Sequence, residues 1–153
     1  MLHKYYKFVI VNNSGQTVTH GAGTGDLLLR VTGVYVVPST GLLAYDIFTP
    51  DECGFDATDT WANGAEVESS EIDNATNKYI NALVKIEVEH TLAATAEGSF
   101  DIYYTGGDAT GALETDADGY NSAESMKLTF IGSLTWPTGV TNNESLLSPT
   151  FTI

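Results

Sequence analysis

The sequence predicts an all-β fold: a single antiparallel two-sheet β-sandwich domain over residues 1–153, jelly-roll or immunoglobulin-like, with about eight strands and two long loops. Three observations predict it. Apolar residues recur with a period of two along most of the chain, no stretch keeps a helical period, and Gly, Asn and Pro breaks fall at regular intervals between the runs.

The first strand is expected over residues 4–11 and another over 27–37, both apolar on two faces. In the second, Leu27, Leu29, Val31, Tyr35 and Val37 oppose Leu28, Val34 and Val36, as in a central or interface strand. Shorter strands are expected at 16–20 and 42–48, set off by Asn12-Asn13-Ser14-Gly15 and Pro38-Ser39-Thr40-Gly41. The clearest alternation is at 82–92, where Val84, Ile86, Val88 and Leu92 face one way and Lys85, Glu87, Glu89 and Thr91 the other. Phe100, Ile102 and Tyr104 then alternate with Ser99, Asp101 and Tyr103. Met126, Leu128, Phe130 and Leu134 share one face of a strand after that, opposite Lys127, Thr129 and Ser133, and a short strand at 150–153 closes the series. Residues 49–77 and 105–124 read as loops longer than a tight sandwich needs, the kind that carries recognition.

A chain of 153 residues suits one core that buries about 68–70% of the unfolded surface. Its formal net charge of −14, from 20 acidic and 6 basic residues, argues against nucleic acid or an anionic membrane as a partner. The apolar run after Met1 is too short for a signal peptide and none approaches a membrane span, so synthesis and retention in the cytoplasm are expected. Cys53 is alone, flanked by Asp51 and Glu52 that disfavour a thiolate, and reads as a structural thiol.

Little points to catalysis, and the chain is read as non-enzymatic. His3, His20 and His90 stand far apart with no ligand or triad spacing, and His90 falls on the apolar face of its strand. No nucleophile elbow, phosphate loop or dinucleotide fingerprint is present, and no cofactor is expected. Glu114, Asp116 and Asp118, followed by Gly119, match the first half of a Ca²⁺ loop. The closing acidic ligand would fall on Ser125, with Glu124 one place early, so a Ca²⁺ site competes with a solvated Asp/Gly turn. Trp61, Trp136, Tyr103 and Tyr120 suggest a sugar-stacking platform, against the alternative that Trp61 plugs its loop and Tyr103 packs across strands.

The run Gly98-Ser-Phe-Asp-Ile-Tyr-Tyr-Thr-Gly-Gly-Asp108, with Asp116-Ala-Asp-Gly-Tyr120, Ile72-Asp-Asn-Ala-Thr-Asn-Lys-Tyr-Ile80 and Ser148-Pro-Thr-Phe-Thr-Ile153, resembles small virion structural proteins of tailed bacteriophages. There a G-x-(V/F)-D-(L/I)-Y strand leads into a Gly/Asp-rich loop and a short C-terminal Phe-x-(I/V) strand follows. The likeness covers about residues 70–153; Thr105-Gly-Gly-Asp108 stands where such loops often carry Ser/Thr-Asp-Gly-Gly. It implies a virion location and a capsid decoration (cement) protein bridging coat subunits. A tail or head–tail accessory protein is one alternative, and a carbohydrate-binding or host-adhesion module another. The implied partners are the major capsid protein or other virion proteins and copies of the chain itself, as a homotrimer. Val34 and Val36 are the expected contacts on the two-faced strand, and Trp61, Asp108, Thr110, Leu113 and Tyr120 those on the loops.

Overall fold

A computed structural model describes residues 2–19, 27–47, 60–77, 79–90, 97–107, 128–136 and 144–153. Two antiparallel sheets carry almost all of them. The strands are β1 (Tyr5–Asn13), β2 (Val18–Thr19), β3 (Leu27–Val36), β4 (Leu43–Ile47), β5 (Thr60–Trp61), β6 (Glu66–Glu68), β7 (Ile72–Asp73), β8 (Asn81–His90), β9 (Gly98–Gly107), β10 (Thr129–Trp136), β11 (Glu144–Leu147) and β12 (Phe151–Thr152). One helical turn, α1 (Asn74–Asn77), precedes β8.

The first sheet runs β10-β9-β1-β6, with β7 also on β1, and the second runs β11-β8-β3-β4, with β12 also on β8. Each sheet therefore has one edge strand split in two. Across β1, the pairs Val9↔Glu68 and Tyr6↔Ile72 bracket the break. There the buried Ser69 hydroxyl accepts the Phe8 N–H at 3.0 Å and its own N–H donates to the Phe8 carbonyl. Counting each split edge once leaves eight strand positions in the two sheets, of which the β6–β7 edge was not expected and the expected strand at 16–20 is not one.

The pairing differs from the immunoglobulin alternative. In an immunoglobulin sandwich the first two strands share a sheet, whereas here β1 and β3 lie in opposite sheets. The hairpin β3–β4 nests inside the pair β1–β6, and β9–β10 nests inside β8–β11, giving two linked four-strand units. The pairs β1–β9 and β3–β8 join the units into two sheets. A two-stranded ribbon, β2–β5, ties the chain after β1 to the chain before β6.

Tyr6, Phe8 and Ile10 of β1, Val31 of β3, Ala82 and Val84 of β8, Phe100 and Ile102 of β9 and Leu134 of β10 form one core between the sheets. Burying each of the large aliphatic and aromatic side chains contributes about 1.5–3 kcal/mol. Val9, Val11 and Tyr103 form a second buried cluster on the opposite face of the first sheet. The two-faced apolar reading of β1 thus reflects burial on both sides.

Two expectations are corrected. The alternation placed Phe130 and Leu134 on one face, but a register shift between Phe130 and Gly132 separates them. Phe130 opposes Tyr103 on the outer face, while Leu134 opposes Phe100 in the core. Residues 60–77, expected within a loop, hold β5, β6, β7 and α1. They take their structure by pairing with β1 and β2.

Candidate functional site

Residues 31–45 contain no charged side chain, and neither do the longer runs 8–25 and 128–143. The run at 31–45 builds the second half of β3, the turn after it and the first three residues of β4. The turn is tight: the Val37 N–H donates to the Leu42 carbonyl and the Gly41 N–H to the Val37 carbonyl, both at 2.8 Å. Gly41 sits at φ 70°, a left-handed conformation that side-chain-bearing residues rarely adopt.

Which side of the hairpin faces outward follows from its partners. Val31 is in the core and Gly33 lies against the Tyr79 ring, so Val34 and Val36 point away from the interior. Val34 pairs with Tyr45 and Val36 with Leu43, which puts all four on the outer face. Val34 is buried there, but Val36, Leu43 and Tyr45 are 41, 58 and 63% exposed. Leu42 at the turn is 67% exposed, and Ile80, whose N–H donates to the Val34 carbonyl, adds a partly exposed apolar edge. Scattered surface hydrophobics need no explanation, whereas a group on one face of a hairpin is a candidate interaction surface.

The hairpin is tied down on its inner side by hydrogen bonds. Asp46 points to the other side of β4, where it accepts the Tyr79 O–H at 2.7 Å. Tyr79 is held in turn by Asn74, whose side chain accepts the Tyr79 N–H at 2.8 Å and donates to the Tyr79 and His3 carbonyls. Among the described residues β4 pairs only with β3, and it carries neither Lys nor Pro, the residues that usually blunt an edge.

Of the residues singled out from sequence, Val36 belongs to this surface, and Val34 lies on the same face but is buried. Trp61 lies in β5 opposite Val18, its side chain outside what the structure describes. Asp108, Thr110, Leu113 and Tyr120, and Glu114, Asp116 and Asp118, lie outside the described residues, as do Cys53 and His20. Tyr103 is buried and meets Phe130 edge-on at 5.4 Å, so it packs across strands and offers no free stacking face. Leu42, Leu43, Tyr45 and Ile80 were not singled out, and their exposure is set by the strand pairing.

Among the described residues, no group of three or more His, Cys, Asp or Glu is placed to hold a metal ion. Asp101 accepts hydrogen bonds from the Asn13 amide at 2.8 Å and the Ser133 hydroxyl at 2.6 Å, tying β1, β9 and β10 together. No helix of the described residues is long and apolar enough to cross a membrane. No protein-family model, no curated protein and no solved structure matches the chain.

Proposed function

We propose that the chain is a non-enzymatic structural protein of a bacteriophage virion, a capsid decoration protein that seats on coat subunits and on copies of itself, as a trimer. The observation that carries the reading is the neutral hairpin face Val36, Leu42, Leu43 and Tyr45 on a chain of net charge −14. At such a charge, copies repel one another unless the contact is apolar, and this face supplies an apolar contact. The virion assignment rests on the resemblance of residues 70–153 to phage structural proteins.

The test is co-sedimentation of the purified chain with shells assembled from the coat protein of the same genome. The chain pellets with the shells at a fixed stoichiometry, and Leu43→Lys with Tyr45→Lys leaves it in the supernatant. A wild-type chain that stays in the supernatant refutes the decoration role.

A further inference from the structure

A cleft of about 370 Å³ opens where the edges of the two sheets meet, between β10 and β12. Its walls are His3, Tyr104, Thr129, Phe130, Ile131, Thr152 and Ile153, which come from four separate parts of the chain. The volume is at the small end of the roughly 300–1,000 Å³ typical of small-molecule sites. None of these side chains is an Asp, Glu, Lys or Arg.

Tyr104 organises the cleft. Its ring is packed by Tyr6 and Phe8 at centroid distances of 5.9 and 6.2 Å, and His3 stacks on it at 6.1 Å with the planes 26° apart. The Tyr104 hydroxyl accepts the His3 backbone N–H at 3.3 Å and keeps its own proton to donate. Burial raises the Tyr104 pKa above its usual 10.0 against the opposing effect of that bond, so the phenol stays neutral at physiological pH. The pair needs a bare backbone beneath it. A Cβ on Gly106 would come within 2.7 Å of the Tyr104 hydroxyl and 2.5 Å of the His3 ring.

We propose that this cleft binds one ring of a neutral saccharide. The exposed His3 ring gives the C–H face of a sugar a surface to lie on. The hydroxyls of Tyr104, Thr129 and Thr152 each donate and accept, matching the sugar's own hydroxyls. Ile131 and Ile153 form an apolar wall, and the net negative charge of the chain selects against anionic ligands. The site is far in sequence from the hairpin and stands whether or not the chain decorates a capsid.

The full-length chain, isotope-labelled, is titrated with glucose, galactose, mannose and N-acetylglucosamine and followed by amide NMR. Saturable shifts centred on His3, Tyr104, Thr129 and Thr152 are expected with at least one sugar, with Kd on the order of 1 mM for a single open ring. Tyr104→Phe removes only the hydroxyl and weakens binding roughly two- to tenfold; His3→Ala weakens it as well. Three results overturn the proposal: no saturable shift with any sugar, shifts that both variants leave unchanged, or selective binding of N-acetyl-tyrosinamide, which would give the cleft to a peptide side chain.

Discussion

Replacing Gly33 with Ala tests the central packing of the hairpin support. A Cβ at this position would lie 2.7 Å from Cδ1 and Cε1 of Tyr79 and 2.8 Å from its Cγ, well inside contact distance. The ring has little freedom to move: it is 5% exposed, sits 6.2 Å from the Tyr35 ring, and is tethered at its hydroxyl by Asp46 and at its backbone by Asn74. Overpacking of this kind costs about 1–3 kcal/mol, while Gly→Ala recovers about 0.4–1 kcal/mol by stiffening the unfolded chain. The clash dominates, leaving a net loss of about 1–2 kcal/mol, or roughly 2–8 °C in Tm for a chain of this length. Thermal and urea unfolding followed by circular dichroism measure it. The Tyr79→Ala background supplies the control, because with the ring gone the added methyl has room and Gly33→Ala costs nothing further. A Gly33→Ala chain as stable as wild type, or one that loses the same amount in both backgrounds, would refute the packing described.

Asn12 is fully buried and donates to the Gln16 and Ala62 carbonyls while accepting the Ser14 N–H and O–H. Asn12→Ala strands several of these groups and is expected to cost about 1–3 kcal/mol in urea unfolding, with faster hydrogen exchange at the Ser14 amide. Phe100→Ala removes a fully buried ring from between the sheets and is expected to cost about 3–5 kcal/mol, read as a lowered denaturation midpoint at unchanged far-ultraviolet dichroism. Because the folded pKa of Tyr104 lies above 10.0, its contribution is fully present below pH 10 and is lost as the pH rises through the folded value. Stability measured across that alkaline range should therefore fall less steeply in Tyr104→Phe than in wild type.

Most of the sandwich was legible because half-buried strands print a period of two. In β9, Phe100 and Ile102 face the core as read, and β1, β3, β4, β8, β9 and β10 follow from such runs. The alternation failed where backbone geometry overrides it. The bulge after Phe130 turns that side chain outward while Leu134 stays inside, and nothing in the local sequence fixes where a bulge falls. The segments β6 and β7 were missed for another reason: strands of two or three residues are too short to show a period and exist because β1 offers them an edge.

The candidate surface was half legible. Val36 was singled out, but the outward direction of Leu43 and Tyr45 is set by their pairing with Val36 and Val34 and by Asp46 reaching Tyr79 on the other side. The cleft was not legible at all. His3, Tyr104, Thr129 and Thr152 meet only because β1 joins β9, β9 joins β10, and β12 joins the second sheet beside β10.

The most direct test of the hairpin as a contact surface is the molar mass in solution, measured by light scattering at near-physiological salt, where charge repulsion between copies is screened. The account predicts a trimer of the 16.3 kDa chain for wild type, and the monomer mass for the Leu43→Lys, Tyr45→Lys variant at unchanged Tm. A wild-type chain that stays monomeric at every concentration, or a variant that assembles as wild type does, would contradict it.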